Sequence, residues 1–225
     1  MRTFFLFYVL SYLLRNPLLA LVIVGVIFYL GEARYRGRWF DPSRLLKRRQ
    51  AISSLRSTLA VNEHDVGAHS DLGRMLVQEG KLDDALPHLE RAIARMEESP
   101  ETNYYLGLCQ LGTGSKKEGQ HHIERALEIN PRFLYGEPQV VLARHNLAEG
   151  RAEESCRWAR EAVKLNTSSV EGWVVRGEAE QACGRAAEAT AAYQSARDAY
   201  RHLPGYLKLP NRKWLAEAKR AAARA

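Results

Sequence analysis

Apolar and small residues return along residues 66–197 at a fixed spacing. Leu72-Gly73 returns as Leu106-Gly107, and Ala85, Leu89 and Ala92 return as Gly119, Ile123 and Ala126, each 34 residues on. A third copy follows a two-residue insertion: Gly150, Ala159 and Ala162 answer Gly114, Ile123 and Ala126 at an offset of 36. A fourth returns to 34, with Gly184, Tyr193 and Ala196. Each copy holds two stretches of helical period divided by a glycine (Gly80, Gly114, Gly150, Gly184), where a chain leaving a helix needs a left-handed residue. The pattern predicts helix pairs at 66–79 with 82–96, 100–112 with 116–129, 137–149 with 152–165, and 170–182 with 186–201. One pair cannot bury its apolar face alone, so the copies are expected to stack into a continuous core. The insertion, within residues 132–138, is expected to widen the joint between copies two and three.

These residues and their period resemble the tetratricopeptide-repeat (TPR) family. Copy two keeps Leu106, Gly107, Gly114, Ile123, Ala126 and Pro131 of its pattern, and copy four keeps Trp173, Gly177, Gly184, Ala189, Tyr193 and Ala196. Copy three is the most degenerate, with Ala143 in place of Gly, and copy four has Arg176 in place of Leu. The resemblance implies an all-α, right-handed α-solenoid of about four TPR hairpins over 66–201 with capping helices. It also implies a kind of work, the holding of other proteins. In that family the first helix of each pair lines a concave face. Carried over by position, this gives Ser70, Arg74 and Val77; Tyr104, Leu108 and Leu111; Val140, Arg144 and Leu147; and Val174, Glu178 and Gln181. Such a face suits a peptide segment with apolar anchors and one or two acids. The alternative is that part of this set is buried between helices or under the C-terminal helix. The Lys, Asn and Arg clamp with which some members hold a terminal carboxylate is not reproduced: Ser70 and Arg74, then Tyr105 and Val141, are the wrong set.

The flanks have a different pattern. Residues 4–30 are apolar except for Arg15 and Asn16, which suggests a membrane anchor over residues 1–33. Two arrangements are open. In one, residues 3–14 lie along the interface and 17–33 cross. In the other, one kinked helix crosses with Arg15 inside it. Asn16-Pro17 is a natural helix restart and favours the first. No A-x-A site follows the apolar run, which argues against a cleaved signal peptide. Arg34, Arg36, Arg38, Arg44, Lys47, Arg48 and Arg49 follow it and, by the positive-inside rule, put the repeats in the cytoplasm. The same residues could also grip anionic headgroups, at about 1 kcal/mol each. Residues 34–65 would hold this segment and a capping helix at 44–61, since Ala51 and Leu55 precede Ala85 and Leu89 by 34. Residues 202–225 end in a helix from about 211, with Trp214, Leu215, Ala218 and Ala222 on one face. It reads as a cap over the last repeat, with a basic arm as the alternative.

Charge sharpens this division. Of the net +7, residues 1–31 carry +2, 32–49 carry +5 and 199–225 carry +6, leaving −6 on 50–198. A nucleic-acid role for the repeats is therefore a poor fit. Cys109, Cys156 and Cys183 form neither a disulfide framework nor a zinc pattern. No phosphate loop or metalloprotease motif is present. Adjacent His121 and His122 point about 100° apart on a helix and rarely share a metal. His88 and His122, 34 apart, suggest a tolerated surface position. Asp83-Asp84 and Glu97-Glu98 read as solvated helix ends. The expectation is a non-enzyme with no cofactor and no metal: a single-pass adaptor, in a bacterial inner membrane, that recruits partner proteins. Self-assembly into a membrane-bound lattice and an envelope-facing assembly factor are the alternatives.

Overall fold

The computed structural model describes Tyr12, residues 15–35 and residues 42–223, without the side chains of 27–35 and 42–45. They fall into two compact units, one of residues 1–42 with 204–209 and one of 43–203 with 210–225. The first holds α1 (Pro17–Tyr35), opened by Asn16, whose side chain accepts from the Leu18 and Leu19 amides. Leu18, Leu21 and Val22 of α1 are 76%, 61% and 61% exposed. Among the described residues no helix is long and apolar enough to cross a membrane. The expected interfacial stretch 3–14, apart from Tyr12, lies outside the described residues. So do Arg36, Arg38 and the side chains of Arg34 and Arg44.

The second unit begins with α2 (Pro42–Val61) and continues through four hairpins: α3 (Val66–Gln78) with α4 (Leu82–Ile93), α5 (Pro100–Thr113) with α6 (Lys116–Ile129), α7 (Glu137–Ala148) with α8 (Ala152–Leu165), and α9 (Val170–Ala182) with α10 (Ala186–His202). Among the described residues there is no strand. Every hairpin lies within three residues of its predicted range. A short turn, α11 (Gly205–Lys208), belongs to the first unit, and α12 (Arg212–Ala222) closes the second.

Paired residue sizes set how closely each hairpin packs. A Cβ on Gly73 would meet Leu89 at 2.5 Å, one on Gly107 would meet Ile123 at 2.5 Å, and one on Gly177 would meet Tyr193 at 2.4 Å. Copy three has Ala143 at the glycine position, and the facing residue shrinks to Ala159, both fully buried. The degeneracy is thus compensated within the contact, as close packing requires. Ser155 adds a hydrogen bond to the Ala143 carbonyl at 2.7 Å.

A second device recurs in all four copies. One side chain near the start of each first helix donates to a carbonyl of the preceding loop. His69 reaches Glu63 at 2.9 Å, Asn103 reaches Glu97 at 2.8 Å, Gln139 reaches Pro131 at 3.2 Å and Trp173 reaches Thr167 at 2.8 Å. In copy three the tether spans eight residues instead of six, and the longer Gln stands where copy two has Asn. The same position also binds the second helix in copies one and two, through His69–His88 at 2.8 Å and Asn103–His122 at 3.0 Å. His88 and His122 are therefore half-buried ties, a correction to their surface reading. Burial, then the neighbouring histidine, pushes both below the usual imidazole value. In copy three the equivalent pair is Gln139 and Trp158, whose Oε1 and Nε1 atoms are buried without a partner.

The insertion forms a tight turn rather than a longer loop. Leu134, Tyr135 and Gly136 take left-handed φ values of 48°, 48° and 95°. Side-chain caps open α3, α5 and α9, from Asp65, Ser99 and Ser169. Helix α7 has no such cap. Pro138, at the position equivalent to capped Thr102, has no N–H for a cap to bind.

A helix packs against each end of the repeats, and α2 does so one residue out of the expected register. Helix α2 buries Ile52, with Leu55 and Leu59 partly covered, against Leu72, Leu76 and Leu89, while Ala51 is half-buried. Ala218 of α12 is fully buried beside Tyr193, with Trp214, Ala221 and Ala222 around it.

Candidate functional site

The twelve first-helix positions do not form one open surface. Tyr104 and Val174 are fully buried and Val140 is 7% exposed, so these three belong to the core. That corrects their assignment as groove contacts. Ser70, Val77, Leu108, Leu111 and Leu147 are half-buried, and Gln181 is exposed and accepts from the Tyr193 hydroxyl at 3.1 Å.

Ser70, Arg74, Tyr104 and Arg144 are tied to the next copy. Glutamates in the first turns of α5, α7 and α9 each receive one of them. Arg74 lies 3.2 Å from Glu101 and 2.8 Å from Asp71. The Tyr104 hydroxyl donates to Glu137 at 2.9 Å, and burial with that carboxylate pushes the phenol far up. Arg144 pairs with Glu171 at 3.0 Å. Ser70 meets Thr102 at 3.0 Å. Arg74, Tyr104 and Arg144 are thus a ladder between copies, and neither arginine is a free cation awaiting an acid.

Helix α12 covers the far end of this face. The Arg144 guanidinium lies 4.5 Å over the Trp214 ring. Glu178 is hydrogen-bonded to Glu217 of α12 and its carboxyl is pushed up to about 7, first by burial and then by that bond and its charge. The part that α12 leaves uncovered runs across copies one and two into copy three. It ends near a cavity of about 290 Å³ lined by Leu134, Tyr135, Glu137, Val140 and Glu171.

Other candidate chemistry is absorbed by structure. His121 is exposed and His122 is turned to Asn103. No cluster of three His, Cys, Asp or Glu that could hold a metal occurs among the described residues. Asp83 and Asp84 lie exposed in the first turn of α4, and Glu98 pairs with Arg125 at 2.7 Å. In the basic segment, Lys47 and Arg49 are exposed, while Arg48 donates to Gln78 at 3.0 Å.

One cluster was not visible in the sequence. Glu180 of α9 is fully buried and receives Arg160 at 2.7 and 2.9 Å and Arg185 at 3.0 Å. Burial alone would raise its carboxyl, but the arginines hold it below the usual value. Beside it the Cys156 and Cys183 sulfurs lie 3.0 Å apart. A period of 34 gave no hint of this contact, because the two cysteines hold different positions within their copies.

Family models described as tetratricopeptide repeat match residues 44–96 and 76–135. The chain carries tetratricopeptide repeats. The first match begins at α2, so that helix counts as half a repeat. Solved TPR structures have the same fold. MamA is 18% identical, with a TM-score of 0.61 over 76% of this chain and 87% of that one. YrrB, described as a TPR protein with an unusual peptide-binding site, is 18% identical, with a TM-score of 0.58 over 77% and 92%. PilW, described as a widely conserved type IV pilus biogenesis factor, is 14% identical, with a TM-score of 0.62 over 75% and 77%. At these identities the likeness is one of fold. No curated protein matches the chain.

Proposed function

We propose that this TPR protein is a non-catalytic adaptor. It holds a segment of a partner protein on the first-helix face of copies one to three, beside a membrane to which its N-terminal region is anchored. The observation that carries the reading is the series Val77, Leu108, Leu111 and Leu147, which stays half-exposed while Tyr104, Val140 and Val174 of the first helices are buried. Arg74 and Arg144 already have carboxylate partners, so a partner's acids would have to displace Glu101 and Glu171. Apolar anchors then dominate recognition. A peptide-binding site in YrrB shows that this fold can carry such a role.

The anchor is supported by α1, whose described leucines and valines are largely exposed, and by the basic residues that follow it. The positive-inside rule places the repeats in the cytoplasm. A photo-reactive residue at Leu108 or Leu147, compared with one at exposed His121, tests the reading in native membranes. Adducts from Leu108 and Leu147 to another protein are expected. Adducts to a second copy would favour the lattice alternative, and adducts from His121 alone would overturn the groove. Release of the full chain from membranes by alkaline wash would overturn the anchor.

A further inference from the structure

Cys156 lies in α8 of copy three and is 1% exposed, whereas Cys183 caps the end of α9 in copy four and is half-buried. They are 27 residues apart in sequence, yet their sulfurs approach to 3.0 Å. A disulfide needs about 2.05 Å, so the pair closes by roughly an ångström of side-chain movement. The surroundings hold the sulfurs in this pose. The Cys156 thiol lies 3.5 Å from Glu180, which is fixed by Arg160 and Arg185, and Arg185 also binds Glu153 at 2.6 Å. Cys109, by contrast, is buried alone and donates to the Leu82 carbonyl at 3.0 Å.

We propose that Cys156 and Cys183 form a reversible oxidation site that locks copy three to copy four, with low-molecular-weight disulfides as its oxidant class. Cys156 is shut away from solvent and Cys183 is half-buried, so Cys183 is the sulfur that an oxidant meets; the same burial pushes the Cys156 thiol up. The Cys183 thiolate attacks one sulfur of the small disulfide, forming a mixed disulfide and releasing one small thiolate. Cys156 then loses its proton and attacks the Cys183 sulfur, which releases the second small thiolate. The protein gives up two protons and two electrons, and the oxidant becomes two thiols. The cross-link closes a loop between the copies and removes chain entropy from the unfolded state.

The full chain is incubated with oxidised glutathione, quenched with acid, alkylated and mapped by mass spectrometry. The expected product is an internal Cys156–Cys183 link with the loss of two hydrogens, Cys109 alkylated, an upward shift in Tm, and reversal by dithiothreitol. In Cys183→Ser both the link and the Tm shift are lost, while the circular dichroism is unchanged. This variant changes a half-exposed turn position, so it serves even if Cys156→Ser does not fold. The proposal is overturned if all three thiols stay alkylatable, if the reaction stops at a glutathione adduct on Cys183, or if the link forms only in urea.

Discussion

At the joint between copies three and four, fully buried Glu180 receives both Arg160 and Arg185. One copy earlier the same position is Asn146, an uncharged amide that receives Arg151 at 2.6 Å, while that arginine reaches on to Gln120 at 2.8 Å. The two joints differ in backbone as well. Ser169 caps α9 and Trp173 ties down the loop before it. Helix α7 instead follows two left-handed non-glycine residues, and at this joint the Gln139 Oε1 and Trp158 Nε1 atoms are buried without a hydrogen-bond partner. One joint is thus held by a buried charge network and the other by backbone shape, so the damage done by a substitution depends on which joint it enters.

The largest expected effect is at the charged joint. Glu180→Gln removes the buried charge that holds two partly exposed arginines and should cost about 3 kcal/mol, read from urea unfolding. Its counterpart Asn146→Ala removes neutral hydrogen bonds and should cost about 1–3 kcal/mol. Equal costs would erase the contrast.

At the shaped joint, Gly136→Ala is next. Its φ of 95° disfavours any Cβ, and one built there would meet the Ala162 carbonyl at 2.8 Å. A loss of about 2 kcal/mol or more is expected in the same assay.

A pH experiment comes third. The folded Glu178 carboxyl stands at about 7, raised above its ordinary value. A raised acid contributes stability while neutral, present in full at low pH and lost as pH rises through that value. Glu178→Gln should therefore stabilise α12 docking by about 1 kcal/mol at pH 8, after allowance for solvent screening, and by nothing near pH 4. A gain that does not vary with pH would contradict the assignment.

The smallest effect is a gain. Tyr135 is 74% exposed and has a φ of 48°, so Tyr135→Gly gives up little packing and relieves left-handed strain. A rise of about 1 kcal/mol is expected, and a loss would mean that the ring packs more than its exposure suggests.

Much of the fold was legible because it is written in local periods. The turn glycines, the small residues at helix crossings and the apolar face of α12 all follow from spacing alone. Candidate-site depth was less legible. Whether Tyr104 lies open or buried depends on Glu137 and Phe133, which meet it from the segment that holds the insertion. Whether Arg74 and Arg144 are free depends on Glu101 and Glu171, each 27 residues downstream. A repeat pattern shows which face a residue takes but does not show which partner the next copy brings. The swap to Ala143 with Ala159 reads as degeneracy in one helix and as compensation only when both are seen together.

Native-state hydrogen exchange tests the contrast between the joints most directly. Residue by residue, the amides of Val140 and Val141 in α7 are compared with those of Val174 and Val175 in α9. The expected result is earlier exchange at Val140 and Val141, with copies one and two protected as a unit separate from copies three and four. Equal protection at both helix starts, or earlier exchange in α9, would contradict the account in which a buried charge network holds the joint between copies three and four more firmly than backbone shape holds the joint between copies two and three.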